Sequence, residues 1–271
     1  MKKGWTLLAS IMVMGALFLG GCGGSTPSAK SDSSGTPADI KAIKDRGVLK
    51  VGVKVDVPKF GFKNPQTNQI EGMEIDLAKA IAKKVLGDES KVEFQGVTAK
   101  TRGPPLDNGE VDLDICTFTI TEERKKSYNF SDPYFTDGVG IMVKKASGIQ
   151  TLKDLNGKKI GVAQSATSKQ AVLEAAEKQG AKVSFLEFGT YPEIKSALDA
   201  GRVDAFSVDG SILFGYLDDS TLILPDRFSP QEYGVASKKG NDALAKLVND
   251  TIADMKKSGE LDKLIQKWGI K

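Results

Sequence analysis

Histidine is absent from all 271 residues. That absence removes imidazole-ligated metal sites, Ser/His/Asp and Cys/His nucleophilic triads and any imidazole base at neutral pH. Cysteine occurs twice, at Cys22 and Cys116, so a disulfide-rich scaffold is excluded. Charge of one sign is scarce as well: 38 Lys+Arg face 35 Asp+Glu, a net charge of +3, with no long basic block. Such a balance leaves no electrostatic footprint for a nucleic acid partner. What remains is 40% hydrophobic and 27% charged, an ordinary composition for a soluble chain long enough to build two modest cores.

The amino terminus is written differently from the rest. Met1-Lys2-Lys3 is a short positive segment, and Trp5 to Gly21 is an uncharged apolar run of 17 residues ending in Leu19-Gly20-Gly21-Cys22. The run is at the short limit for a membrane span and has small residues rather than a basic flank behind it, so residues 1–21 read as a signal peptide. The small-small-Cys ending resembles a bacterial lipobox, in which the cysteine thiol receives a lipid and becomes residue one. The resemblance implies a chain anchored through Cys22 to the outer face of the cell membrane. Gly23 to Pro37 is almost all Gly, Ser, Thr, Pro and Ala, so residues 22–38 form a flexible linker. Cys116 lies in an apolar strand-like stretch and reads as a small buried hydrophobe.

Beyond the linker, two textures occur twice and in the same order. Leu49-Lys50-Val51-Gly52-Val53-Lys54 is matched by Lys158-Lys159-Ile160-Gly161-Val162-Ala163, each a short strand after a short helix. Leu106-Asp107-Asn108-Gly109-Glu110-Val111-Asp112 and Leu198-Asp199-Ala200-Gly201-Arg202-Val203-Asp204 share L-D-x-G-x-V-D, a helix end, a Gly stop and a strand start. Between the strands run helical stripes, Ile75, Ala78, Ile81, Ala82, Val85 and later Ile194, Ala197, Leu198. Strands alternating with helices predict an α/β chain of two related units, with mainly parallel sheets covered by helices. Two further stripes, from Leu244 to Met255 and from Leu261 to Trp268, return the carboxyl terminus to helix. Ligands of open α/β sheets bind beyond the carboxyl ends of the strands, so two facing sheets enclose a cleft. Gly138 to Val143 and Glu232 to Ser237 are expected to cross between the units.

Gly72-Met73-Glu74-Ile75-Asp76-Leu77-Ala78 resembles the signature of family 3 bacterial solute-binding proteins, the amino-acid receptors of ABC importers; Met73 stands where an aromatic residue is usual. The likeness continues through Thr119-Ile120-Thr121-Glu122-Glu123-Arg124, Phe130-Ser131-Asp132-Pro133-Tyr134, Gly161-Val162-Ala163-Gln164 and Val203-Asp204-Ala205-Phe206-Ser207-Val208-Asp209. The resemblance implies a two-lobed periplasmic-binding-protein-like fold of type II, with residues 39–138 and 232–271 as lobe 1 and 139–231 as lobe 2. It also implies a monomer that hands an amino acid to a permease and an ATPase, with no cofactor, no metal and no catalytic residue. Val97-Thr98-Ala99-Lys100-Thr101-Arg102-Gly103-Pro104 is most similar to the aspartate- and glutamate-binding branch, although the second proline, Pro105, is a departure.

A zwitterionic ligand needs an anion site, a cation site and a side-chain pocket. Arg124 supplies a planar fork for an α-carboxylate, completed by resemblance with backbone N–H groups at Thr119 and Thr167, the latter opening a helix over 168–178. Asp209 ends the second repeat strand, where it either meets the ligand ammonium or caps the helix after it, two roles that are compatible. Thr117 and Thr119 alternate along one strand end and are expected to present two hydroxyls on one face. By resemblance Lys54 and Arg102 face the ligand side chain; Tyr191, at the start of the second repeat helix, is expected to hydrogen-bond the ligand and Phe60 to shield it. Lys54, Arg102 and Arg124 against Asp209 favour an acidic ligand. Without histidine, affinity is expected to stay nearly flat between about pH 6 and 8. The alternatives are a receptor for glutamine or another polar amino acid, and an enzyme similar to cyclohexadienyl dehydratases on the same fold. A general acid needs a raised pKa, and three nearby cations are expected to lower it.

Overall fold

The computed structural model describes residues 35–270, of which 36–270 belong to one compact unit. The signal segment, Cys22 and most of the linker lie outside the described residues. Two sheets organise the unit. In the first, the parallel strands Val92–Gly96, Leu49–Val53 and Leu113–Ile115 lie side by side, Ala236–Lys238 pairs antiparallel with the last of them, and Tyr128–Phe130 pairs antiparallel with Ala236–Lys238. In the second, Ser184–Phe188, Lys159–Ala163 and Ala205–Asp209 repeat the parallel core, and the long strand Phe135–Lys144 joins antiparallel with Thr221–Ile223 and Phe228–Tyr233. The parallel core expected from the repeats is present in each lobe, and the antiparallel strands come from chain that had no repeat partner.

The L-D-x-G-x-V-D segments do the same work twice. Each closes a helix, Gly103–Asn108 or Tyr191–Asp199, through a left-handed glycine, Gly109 at φ 74° and Gly201 at φ 71°. The last aspartate then accepts from the middle strand of its parallel core, Asp112 from the Lys50 N–H and Asp204 from the Lys159 N–H, each at 2.8 Å. Backbone returns match as well: Asp112 N–H donates to Lys50 O and Asp204 N–H to Lys159 O, both at 2.8 Å. The repeat therefore registers a new strand beside an old one, which is why it precedes a strand each time.

Helices cover the sheets as their stripes require. Met73–Leu86 buries Leu77, Ala78, Ile81 and Val85 against the first sheet and stops at Gly87. Gly72 at its start has φ 142°, and a Cβ there would sit 2.0 Å from the Phe60 carbonyl oxygen, so only glycine lets the helix begin this close to the neighbouring loop. Asp242–Ser258 and Glu260–Lys267 form the terminal pair. One apolar cluster takes in residues from both lobes, among them Ile75, Leu77, Phe60, Tyr233, Phe206 and Tyr191, and smaller clusters fill the outer part of each lobe.

Gly138 to Val143 does not cross between the lobes; it lies inside the strand Phe135–Lys144, because apolar alternation describes a paired strand as well as a connector. Connections between the sheets fall instead at 131–134 on the outward pass and 234–235 on the return. Tyr134 N–H donates to Tyr233 O and Ser131 N–H to Val235 O, so the two passes are hydrogen-bonded to each other.

Candidate ligand-binding site between the lobes

Arg124 sits in the short helix Glu122–Ser127, whose first turn is capped by the Thr121 hydroxyl accepting from the Arg124 N–H at 3.1 Å. From that turn the Arg124 guanidinium reaches backbone carbonyls of both lobes. Its Nη1 donates to Thr119 O at 2.7 Å, and its Nη2 reaches the second lobe and donates to Ser165 O at 3.0 Å. Burial and the neighbouring Arg102 cation lower its pKa, yet a guanidinium remains charged at neutral pH.

Asp209 ends the strand Ala205–Asp209 and is buried. It occupies the N-cap position of the helix Gly210–Phe214, but its side chain makes no capping bond. Instead Asp209 Oδ2 accepts from the Tyr233 hydroxyl at 2.5 Å. Burial pushes its carboxyl up to about 7, and the Tyr233 hydroxyl, Arg102 and Arg124 offset only part of that. The expectation that nearby cations hold cleft carboxyls low is therefore overturned, because desolvation outweighs them.

Lys54 follows the strand Leu49–Val53 and is 1% exposed. Its ammonium pairs with Asp56 Oδ1 at 3.1 Å and lies 4.5 Å from the centre of the Tyr191 ring. Burial lowers its pKa and Asp56 counters that. Asp56 also ties the lobes together: its Oδ2 accepts from Tyr191 N–H at 3.4 Å, and its backbone carbonyl accepts from the Tyr216 hydroxyl. Arg102 stacks on Phe118 at 3.8 Å and donates through Nη1 to Thr117 O at 3.2 Å and, more weakly, to Cys116 O at 3.4 Å. Both cations are thus already engaged, Lys54 by a carboxylate and Arg102 by backbone carbonyls.

Thr117 and Thr119 do not share a strand face. The strand ends at Ile115, and Thr117 takes a left-handed φ of 50°, which breaks the alternation. A β-branched residue is held there because Glu74 Oε1 accepts from its N–H at 2.6 Å, while its hydroxyl turns back to Cys116 O at 2.8 Å. Glu74 Oε1 also accepts from the Tyr134 hydroxyl at 2.5 Å, and burial lifts its carboxyl to about 7. Thr119 and Thr167, one from each lobe, are joined through Gln231: both hydroxyls donate to its Oε1, at 2.9 and 2.6 Å. Phe60 is fully buried and packs edge-on against Phe135 and Tyr233, at 5.4 and 6.0 Å between ring centres.

Lys54, Arg102, Arg124, Tyr191 and Asp209 thus converge, with Thr119 and Thr167 beside them. Sequence reasoning missed Asp56, Glu74, Gln231 and Tyr233. The last two carried a signal, since they alternate on one face of Phe228–Tyr233. Among the described residues no group of three or more Cys, Asp or Glu side chains is arranged to hold a metal ion.

Residues 49–271 match the family described as bacterial extracellular solute-binding proteins, family 3. The ABC transporter glutamine-binding protein GlnH of Bacillus subtilis is 41% identical over 271 residues, covering 99% of this chain and 97% of that protein. An ancestral arginine-binding protein, solved with arginine and again with glutamine, is 42% identical with a TM-score of 0.74, over 82% of this chain and 98% of that one. An ancestral amino acid-binding protein, a precursor of cyclohexadienyl dehydratase, is 37% identical with a TM-score of 0.75, over 84% of this chain and 98% of that one.

Proposed function

Because the chain belongs to the family 3 bacterial extracellular solute-binding proteins, whose fold is α/β and two-lobed, we propose that it is the receptor of an ABC importer for a neutral polar amino acid, glutamine before glutamate or aspartate. In this reading Arg124 takes the α-carboxylate and Asp209 the α-ammonium. Residues 39–134 with 234–271, and 135–233, are the two bodies that close on the ligand. The carrying observation is the Lys54–Asp56 pair at 3.1 Å, together with the backbone bonds of Arg102. With Lys54 neutralised by Asp56, Arg102 is left as the one cation of the pair without a carboxylate partner, and a side-chain carboxylate would enter against an existing carboxylate, which weakens the electrostatic basis for acidic selectivity. An amide side chain can donate to Asp56 and accept from Lys54 or Arg102 without adding charge. The glutamine-binding relative supports the same choice.

Delivery to a permease and ATPase and attachment through Cys22 complete the proposal; Cys22→Ser should release or misprocess the chain, and unchanged membrane retention would remove the anchor. Thermal-shift screening of the twenty amino acids on residues 38–271 tests the ligand. Glutamine at about 100 times its Kd should add roughly 2.7 kcal/mol. A larger shift with glutamate or aspartate than with glutamine would restore the acidic reading.

One observation favours a second reading. A buried carboxyl raised to about 7, as Asp209 is, suits a general acid. Incubation with prephenate or arogenate separates the two: conversion would make the chain a dehydratase, and no turnover with amino-acid binding keeps it a receptor.

A further inference from the structure

Gln231 lies on the return strand Phe228–Tyr233, opposite Asp137 of the outward strand, and is 2% exposed. Its amide is held at both ends. Nε2 donates to Ser229 O at 2.9 Å, and Oε1 accepts both threonine hydroxyls. Ser229 has a left-handed φ of 46° at the register shift between Phe228 and Pro230, and that irregularity places its carbonyl where the amide nitrogen reaches it. Rotating the amide by half a turn would set its carbonyl against Ser229 O, so the oxygen stays on the threonine side.

We propose that Gln231 is a positioning residue that fixes the polarity of the binding site, acting through the Thr119 and Thr167 hydroxyls; the proposal rests on the amino-acid-binding reading. An amide oxygen has no proton to give, so each hydroxyl must donate its one proton to Gln231. What each threonine then offers a ligand is lone pairs alone. They add acceptors held by the same strand whose Tyr233 donates to Asp209, suited to an ammonium and unsuited to a carboxylate. Because Thr119 belongs to one lobe and Thr167 to the other, the full set of acceptors exists only when both lobes meet the return strand.

The test compares L-glutamine with glutaramate, which keeps the carboxylate and side-chain amide and lacks the α-amine; the same pair is built on another amino acid if the screen selects one. Affinities are read by calorimetry and competition. Gln231→Met keeps the chain length and removes the oxygen. It should cut the preference for the amine-bearing ligand at least tenfold while weakening glutaramate less than threefold. Thr119→Val and Thr167→Val should each lower the same preference in the wild-type background and change it less than threefold in the Gln231→Met background. Purely structural damage would weaken both ligands in parallel, and that result, or an unchanged preference, overturns the proposal. Gln231→Asn, which retracts the same amide by one carbon, reads the same ratio if the Met variant does not fold. A wild-type chain that binds no amino acid overturns the receptor reading and this inference with it, whereas parallel losses in a chain that binds overturn this inference alone.

Discussion

The two lobes begin as the same construction and diverge at one strand. In each, a parallel core is registered by the aspartate of the repeat, Asp112 or Asp204, on the backbone of Lys50 or Lys159. Two residues beyond those aspartates stand Asp114 in the first lobe and Phe206 in the second, facing the equivalent glycines Gly52 and Gly161. Phe206 is an ordinary core residue. Asp114 is fully buried, neither carboxyl oxygen has a hydrogen-bond partner, and burial raises its pKa to about 8. The strands then end differently. The second runs on to deliver Asp209 to the cleft, while the first stops at Ile115 and turns through Thr117 under the hold of Glu74. A shared scaffold sets the strands; the departures from it carry the charged and strained groups.

The largest expected effects come from the groups that each lobe contributes to the ligand. Arg124→Ala and Asp209→Ala should each cost about 2–5 kcal/mol of binding by calorimetry, because each leaves an opposite charge desolvated and unpaired. Near-native affinity in either variant would remove that lobe's assigned share of the site.

Asp114 offers the sharpest way to break the comparison. Its folded pKa of about 8 lies above that of an unfolded carboxylate, so folding takes up a proton between about pH 4 and 8 and stability falls as pH rises through that window. Asp114→Asn removes the ionisation and should stabilise the chain more at pH 8 than at pH 5, by about 2–4 kcal/mol in urea unfolding. Equal stabilisation at both pH values would mean that Asp114 is as innocuous as Phe206.

A smaller effect replaces the flat pH profile expected from the absence of histidine. With Asp209 at about 7 in the ligand-free chain, binding an ammonium there requires loss of a proton below that pH. Affinity should fall toward tenfold per unit below about pH 7, with proton release visible as a buffer-dependent enthalpy. Asp209→Asn should abolish the slope; a slope that survives would assign it to Glu74, raised to about 7 as well.

The smallest effects test the shared scaffold itself. Asp112→Ala and Asp204→Ala should each destabilise by about 1 kcal/mol or somewhat more, since each removes one carboxylate bond to a strand N–H together with one ion pair, to Arg46 or to Lys158. A large difference in unfolding midpoints would show that the two segments have unequal roles.

The sequence by itself determined the α/β class, the two repeated units and the helical stripes, because period, glycine stops and paired motifs are local and survive without a fold; the candidates Arg124 and Asp209 came from the family motifs around them. It did not determine how the cations of the cleft are paired. Lys54 and Arg102 read as free cations when taken one at a time, and only the tertiary structure set Asp56 on Lys54 and backbone carbonyls on Arg102. Thr117 read as a strand residue until Glu74, 43 positions away, held it in a left-handed turn. Gln231 alternated with Tyr233 on one strand face, but nothing local pointed to its partners Thr119 and Thr167, which lie 112 and 64 residues distant. Asp209 looked ionised because its cations were visible in the chain while its burial was not. Desolvation is a property of the assembled core, and in this protein it lifts the Asp209 carboxyl to about 7.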